Sequence, residues 1–289
     1  MAAYLSLRLI ILLFAILPWC SLYPISRFFA FLLRTVIRYR HKMLLNNLKL
    51  SFPQYGEKEI RQLHRSVYRQ YTEVLCENLK AISIDPNKTE ERVEFENFEA
   101  IKEYLNNGQN CIALTSHFAN WEWQAAAGKY LNHQMIGVYK KSHNRHVEHL
   151  LQQYRQRWKV QFTPISVFPR FILKHLNNQN QSTPQLIFLL CDQNPTREQP
   201  SAEIHFLNRK TRFILAPEKL AKRYNLPVFH MKMIRIKRGH YRVTANQYSD
   251  NNTNQKTQSI TQWYAEELEK QILENPASWL WLHNRWKKR

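Results

Sequence analysis

Short, wholly apolar runs alternate along the chain with longer stretches in which apolar residues recur every three or four positions. Cys111–Thr115 (CIALT), Met135–Tyr139 (MIGVY) and Leu186–Cys191 (LIFLLC) are continuous apolar runs of strand length, the pattern of strands buried on both faces. Val228–Lys237 and Tyr241–Ala245 read as two more strands, joined at Arg238-Gly239. In 57–80, Ile60, Leu63, Val67, Tyr71 and Leu75 step by three or four, which predicts a helix. Helices are also predicted over Trp121–Leu131, 144–157, 214–224 and 257–274, the last with Thr257 or Ser259 as its cap. Two patches rich in Asn, Gln, Ser and Thr, 177–185 and 249–259, read as solvated loops. Apolar strands alternating with helices predict an α/β fold with a mostly parallel sheet flanked by helices.

The N-terminus has a different pattern. Tyr4–Cys20 is almost wholly apolar, with Arg8 its only charge, and Phe28–Ile37 is apolar but broken by Arg34. This predicts a membrane anchor and juxtamembrane segment over 1–40, followed by one domain over 41–289. The first run is short for a span, so a cleaved signal peptide and a buried core helix compete with an anchor. The Pro18-Trp19-Cys20 sequence lacks the small residues that a cleavage site needs. For a spanning helix, Arg27, Arg34, Arg38, Arg40 and Lys42 on one side against Arg8 on the other place the bulk of the chain in the cytoplasm. The same basic and aromatic residues equally suit a helix lying in the interface of an anionic membrane.

Composition narrows the choice of function. Lys and Arg number 42 against 22 Asp and Glu, a formal net charge of +20, which implies acidic partners. The 5 glycines are scattered, which excludes a dinucleotide-binding G-x-G-x-x-G, a P-loop and a G-x-S-x-G elbow. The 4 cysteines form no C-x-x-C pair, so zinc ribbons and thioredoxin-like redox sites are excluded too. His143, His146 and His149 drift around a helix rather than converge, so no metal is expected there. The basic charge is dispersed and no nucleic-acid module is present.

In open α/β sheets the chemistry lies beyond the carboxyl ends of strands. Three predicted strands end in polar residues: Ser116-His117, Lys140-Lys141 and Asp192-Gln193. In the first of these, His117 stands at the strand tip and Glu122 five residues on, in the first turn of the next helix with Asn120 as a possible cap. On one helix that spacing would separate the side chains, but a strand–loop–helix junction allows them to share a site. A histidine beside a carboxylate is a general-base arrangement. The plainer alternative is a buried histidine and a favourable helix-start charge.

The H-x-x-x-x-E motif after a short strand resembles that of the lipid A biosynthesis lauroyl/myristoyl acyltransferases. The likeness extends through Arg38-Tyr39-Arg40, Ser51-Phe52-Pro53, Val138-Tyr139-Lys140 with Asn144, Arg155-Gln156-Arg157 and Asp192-Gln193. It is closest in Trp279-Leu280-Trp281-Leu282-His283-Asn284-Arg285-Trp286-Lys287. The resemblance implies an acyltransferase domain that moves a fatty acyl chain from acyl carrier protein to a hydroxyl of a lipid A precursor, without a cofactor. It implies His117 as the base, Glu122 as the group that orients or charges it, and Arg155 as an oxyanion or phosphate contact. Asp192 would hold Arg155 or His117, or only end a strand. Lys140, Asn144, Gln193 and Arg285 are the implied substrate-binding residues. The implied location is the cytoplasmic face of a bacterial inner membrane, among membrane phospholipids. Lys140 stands where the family usually has arginine, Asn194 where a second acid is frequent, and Asn284 where a basic residue is common. These departures bear on acceptor and chain length. A lysophospholipid or another glycolipid is the alternative acceptor.

Overall fold

The apolar runs do form strands, and four strands that the sequence pattern did not signal extend or accompany the sheet they build. The computed structural model describes residues 2–82, 84–139, 141–142, 144–155, 158, 160–177, 183–249 and 259–287. Among these, the strands are Val93–Glu96 (β1), Cys111–Thr115 (β2), Met135–Tyr139 (β3), Val160–Pro164 (β4), Leu186–Leu190 (β5), Ser201–Phe206 (β6), Arg209–Ile214 (β7), Val228–Lys237 (β8) and His240–Gln247 (β9). Seven form one sheet in the order β1-β9-β8-β2-β5-β3-β4, and β6 and β7 form a separate hairpin. Every neighbouring pair in the large sheet is parallel except β8 and β9. β2 and β5 lie at its centre and are buried almost throughout, which explains their unbroken apolar sequences. Gly239 turns the β8–β9 hairpin at φ +67, and a Cβ there would lie 2.6 Å from the Tyr23 hydroxyl.

The helices are Ala2–Ile16 (α1), Trp19–Phe31 (α2), His41–Ser51 (α3), Glu57–Ala81 (α4), Pro86–Glu90 (α5), Glu99–Asn106 (α6), Ala127–Tyr130 (α7), Arg145–Arg155 (α8), Phe168–Asn177 (α9), Ala216–Tyr224 (α10) and Ile260–Glu274 (α11). Ser259 caps α11 by accepting from the Gln262 N–H at 3.1 Å. The expected loops at 177–185 and 249–259 lie largely outside the described residues, as does Thr257. The helix predicted over Trp121–Leu131 is instead a 3₁₀ segment, Trp121–Ala126, followed by the single turn of α7. Tertiary contacts override the helix propensity. Gln124 is buried with its Oε1 accepting from the Thr115 hydroxyl at 2.6 Å, Trp123 is packed against Trp19 and Tyr241, and Asn132 at φ +56 ends the run.

The expected membrane helix is not met by any one helix. No described helix is long and apolar enough to cross a bilayer alone. Trp19–Val36 and His41–Ser51, bent by 95°, pass together on length and composition. At about 1.5 Å per residue, α1 covers roughly 22 Å, short of a hydrocarbon core of about 30 Å. α1 and α2 pack instead along α4. Leu22 and Ser26 are fully buried, and Thr72 donates to the Ser26 carbonyl at 2.9 Å. Lys80 of α4 closes the end of α1 by donating to the carbonyls of Phe14, Ala15 and Leu17. A cation at a helix C-terminus satisfies its unpaired carbonyls and its dipole together. The outer face of these helices keeps Leu12, Ile16, Phe28 and Phe31 exposed.

Candidate active site

β2 and β5 run parallel with Thr115 opposite Leu190. Residues two positions past each strand, His117 and Asp192, therefore leave adjacent strands at the same level. The Cys191 N–H to Thr115 carbonyl bond, 3.0 Å, carries the ladder one step further. Asp192 is buried, and its two oxygens have separate tasks. Oδ1 lies 2.7 Å from His117 Nδ1, while Oδ2 accepts from the His117 backbone N–H at 3.0 Å and from the Trp279 indole N–H at 2.8 Å. Nδ1 therefore carries the proton, and Nε2 is left with its lone pair. It accepts from the Gln193 amide at 3.0 Å.

Burial by itself would depress the His117 pKa. The charge and hydrogen bond of Asp192, with a smaller contribution from Glu122, outweigh it and raise the value. Asp192 shows the converse: burial would raise it, but His117 and the three N–H donors hold it below the ordinary range.

A cavity of about 670 Å³ is lined in part by His117, Trp121, Glu122, Gln193 and Gln199. Its walls are apolar: Val138, Phe162, Ile165, Phe168, Ile172, Phe188 and Leu220 among them. A cavity of this size, apolar but for a few polar groups at one end, suits a long hydrocarbon chain. Gly137 is part of its construction, since a Cβ there would stand 2.9 Å from the Phe162 ring.

The predicted residues separate in space. His117, Glu122, Asp192 and Gln193 converge. Glu122 lies in the first turn of the 3₁₀ segment and faces the same cavity, but among the described residues it has no hydrogen bond to the imidazole. Asn120 does not cap that segment. Its amide donates to Glu77 Oε2 at 3.0 Å, in a buried cluster with Tyr241 and Arg235 that ties the 117–122 loop to α4. Asn144 accepts from the His146 N–H and starts α8, at whose far end Arg155 stands. The Arg155 side chain, Lys140 and His143 lie outside the described residues. Arg285 is buried, donates to the Arg212 carbonyl at 2.6 Å, lies over the Phe213 ring and does not line the cavity.

Sequence reading missed two parts of the site. Trp279 was visible in a characteristic block, but its hold on Asp192 was not. The β4–α9 wall was missed altogether, although Phe168, Phe171 and Ile172 carry helical spacing.

The fold and site are thus a mostly parallel α/β sheet with a histidine–carboxylate pair at its carboxyl edge and an apolar cavity beside it. Residues 2–288 match the bacterial lipid A biosynthesis acyltransferase family, and the chain belongs to that family. No curated protein matched the chain.

Proposed function

We propose that the protein transfers a fatty acyl chain from the thioester of acyl carrier protein to a hydroxyl of a lipid A precursor, with His117 as general base and Asp192 as its partner. The observation that carries this reading is His117 lining the apolar cavity with its Nδ1 2.7 Å from the buried Asp192 carboxylate, which leaves Nε2 to act as the base in the neutral ring. The acceptor hydroxyl displaces the Gln193 amide and gives its proton to Nε2. The oxygen attacks the thioester carbonyl, a C–O bond forms, the C–S bond breaks, and the imidazolium returns the proton to the leaving thiolate. Asp192 holds the tautomer and stabilises the imidazolium, and Glu122 adds negative charge nearby. Arg155 and Lys140 are assigned to the oxyanion or to phosphates, and Asn144 to the support of that segment. Arg285 supports the site from the interior.

The net charge of +20 suits an acidic carrier protein and a phosphorylated acceptor. The exposed apolar residues of α1 and α2 support attachment to the cytoplasmic face of the inner membrane, among phospholipids, with these helices lying in the interface. The test is an assay of purified protein with acyl carrier protein charged with chains of different length. It offers a lipid A precursor and a lysophospholipid side by side and reads products by mass. An added acyl mass on the precursor, lost in His117→Ala, is expected. Acylation of the lysophospholipid alone overturns the acceptor.

A further inference from the structure

A groove of about 380 Å³ lies where the turn after α2 meets α3 and the first half of α4. Arg34, His41, Lys49, Arg61, His64 and Arg65 line it, and Glu57 is its one acidic lining residue. Arg61 pairs with Glu57 at 2.8 Å. Among the described residues, Arg34, Lys49 and Arg65 have no ion pair or side-chain hydrogen bond. Along α4 the basic face continues through Lys58 and Arg69, on one side of the helix by their spacing of three and four. The local field is strongly positive. His64 is pushed down to about 4, by burial first and then by His41, Arg34 and Arg65.

Gathering like charges costs Coulombic energy that an anion would offset. Guanidinium groups are suited to a phosphate because their forked donors match its oxygens. The location argues for a lipid as its carrier. Arg34 lies in the five-residue π-helical turn Leu32–Val36, and Val36 and Ile37 beside it are more than half exposed, continuing the apolar outer face of α1 and α2. Cations bordering exposed apolar side chains match the level at which lipid phosphates stand over acyl chains. The groove shares no lining residue with the catalytic cavity. Its occupant is thus a lipid of the surrounding membrane rather than the molecule being acylated. α4 joins the two regions: Gln70, whose Oε1 accepts from the Ser278 hydroxyl at 2.7 Å, lies about 9 Å further along the helix than His64.

We infer that this groove binds the phosphate of an anionic membrane phospholipid and so fixes the orientation of the enzyme on the bilayer. The inference rests on the membrane attachment proposed above. The experiment is vesicle sedimentation of the full chain. It uses phosphatidylcholine alone, phosphatidylcholine with phosphatidylglycerol, and phosphatidylcholine with a lipid A precursor. The double variant Arg34→Gln/Arg65→Gln is compared with Lys219→Gln/Arg223→Gln, which removes the same charge from α10.

Wild type is expected to bind phosphatidylcholine weakly and to gain on phosphatidylglycerol. The groove variant should lose about tenfold or more of that gain, from the contribution of each basic residue near an anionic surface. The α10 variant should lose less than about twofold. Arg34→Lys/Arg65→Lys should restore most of the gain, which separates lost binding from lost folding. Equal losses in the groove and α10 variants would overturn the site in favour of diffuse charge. A loss seen only with the lipid A precursor would overturn the assigned occupant. Binding to phosphatidylcholine with no gain on phosphatidylglycerol would overturn the site but leave the membrane attachment standing. No binding to any vesicle would overturn both.

Discussion

Trp279 and His117 meet on one carboxylate: the indole N–H occupies Asp192 Oδ2 at 2.8 Å, and the imidazole Nδ1 takes Oδ1 at 2.7 Å. The two contacts fix the carboxylate plane, and through it the direction in which Nε2 points. Trp279 is itself held by the bridge of its strand-like backbone to Phe118, next to His117. Trp279→Phe keeps the packing but removes the N–H. A hydrogen bond to a buried charge contributes about 2 kcal/mol, so stability should fall by roughly that amount in urea unfolding. The kcat should fall while KM for the acceptor stays near its wild-type value, because the loss concerns the aim of the base.

In the proposed mechanism the raised pKa of His117 would set the acid limb of the reaction. The base works unprotonated, so kcat/KM should decline as pH drops through a value above 6.5. Asp192→Asn removes the largest raising influence. The limb should then move to lower pH, and kcat should fall by about 10³–10⁴-fold, as when a histidine–aspartate pair loses its tautomer. Glu122→Gln should shift the limb less, since Glu122 acts on the imidazole by charge alone. A larger shift in Glu122→Gln than in Asp192→Asn would reverse their roles.

The same pair makes stability depend on pH with a definite sign. His117 is raised in the folded protein, so its contribution is complete below pH 6.5 and is lost as pH climbs through the folded value. Asp192 is lowered, so its contribution is present above pH 3.8 and is lost as pH falls through the folded value. The stability difference between wild type and Asp192→Asn should peak between those limits and shrink toward alkaline pH, in urea melts taken across the range.

Gly137 allows the Phe162 ring to lie across β3. In Gly137→Ala the new methyl group would meet that ring at 2.9 Å and push it toward the cavity. Competition between acyl donors of different length should then shift toward shorter chains, at a cost in stability of about 1–3 kcal/mol for the overpacked contact.

Lys80 closes α1 from α4. Lys80→Met should leave the carbonyls of Phe14, Ala15 and Leu17 unpaired and loosen the helix by about 1–2 kcal/mol. Proteolysis within residues 2–17 should quicken while the domain body remains resistant.

The parts of the fold legible in the sequence were those whose apolar pattern is local. β2, β3, β5, β8 and β9 announce themselves because burial on both faces demands continuous apolar runs. β1 and β4 lie at the sheet edges and mix polar with apolar residues, and β6 and β7 of the separate hairpin do the same, so none carries that signal. Of the candidate site, the sequence singled out His117, Glu122 and the Asp192-Gln193 step, which the fold brings together. The choice of Asp192 as the partner was not legible, because it depends on the register of two strands 75 residues apart in sequence. For the N-terminal segment the sequence left a spanning and an interfacial anchor open, because apolar content does not report the break at Pro18 or the packing against α4.

The Gln193 amide on His117 Nε2 has a consequence for acyl economy. A histidine base beside an activated thioester would deliver water as readily as a sugar hydroxyl. In the neutral imidazole the Gln193 amide would engage the lone pair at which a stray water would otherwise be activated. Only an acceptor that brings enough binding energy of its own to turn the amide aside releases the base. In the proposed reaction Gln193 would thus couple acceptor arrival to reactivity and spare the activated acyl group from wasteful hydrolysis.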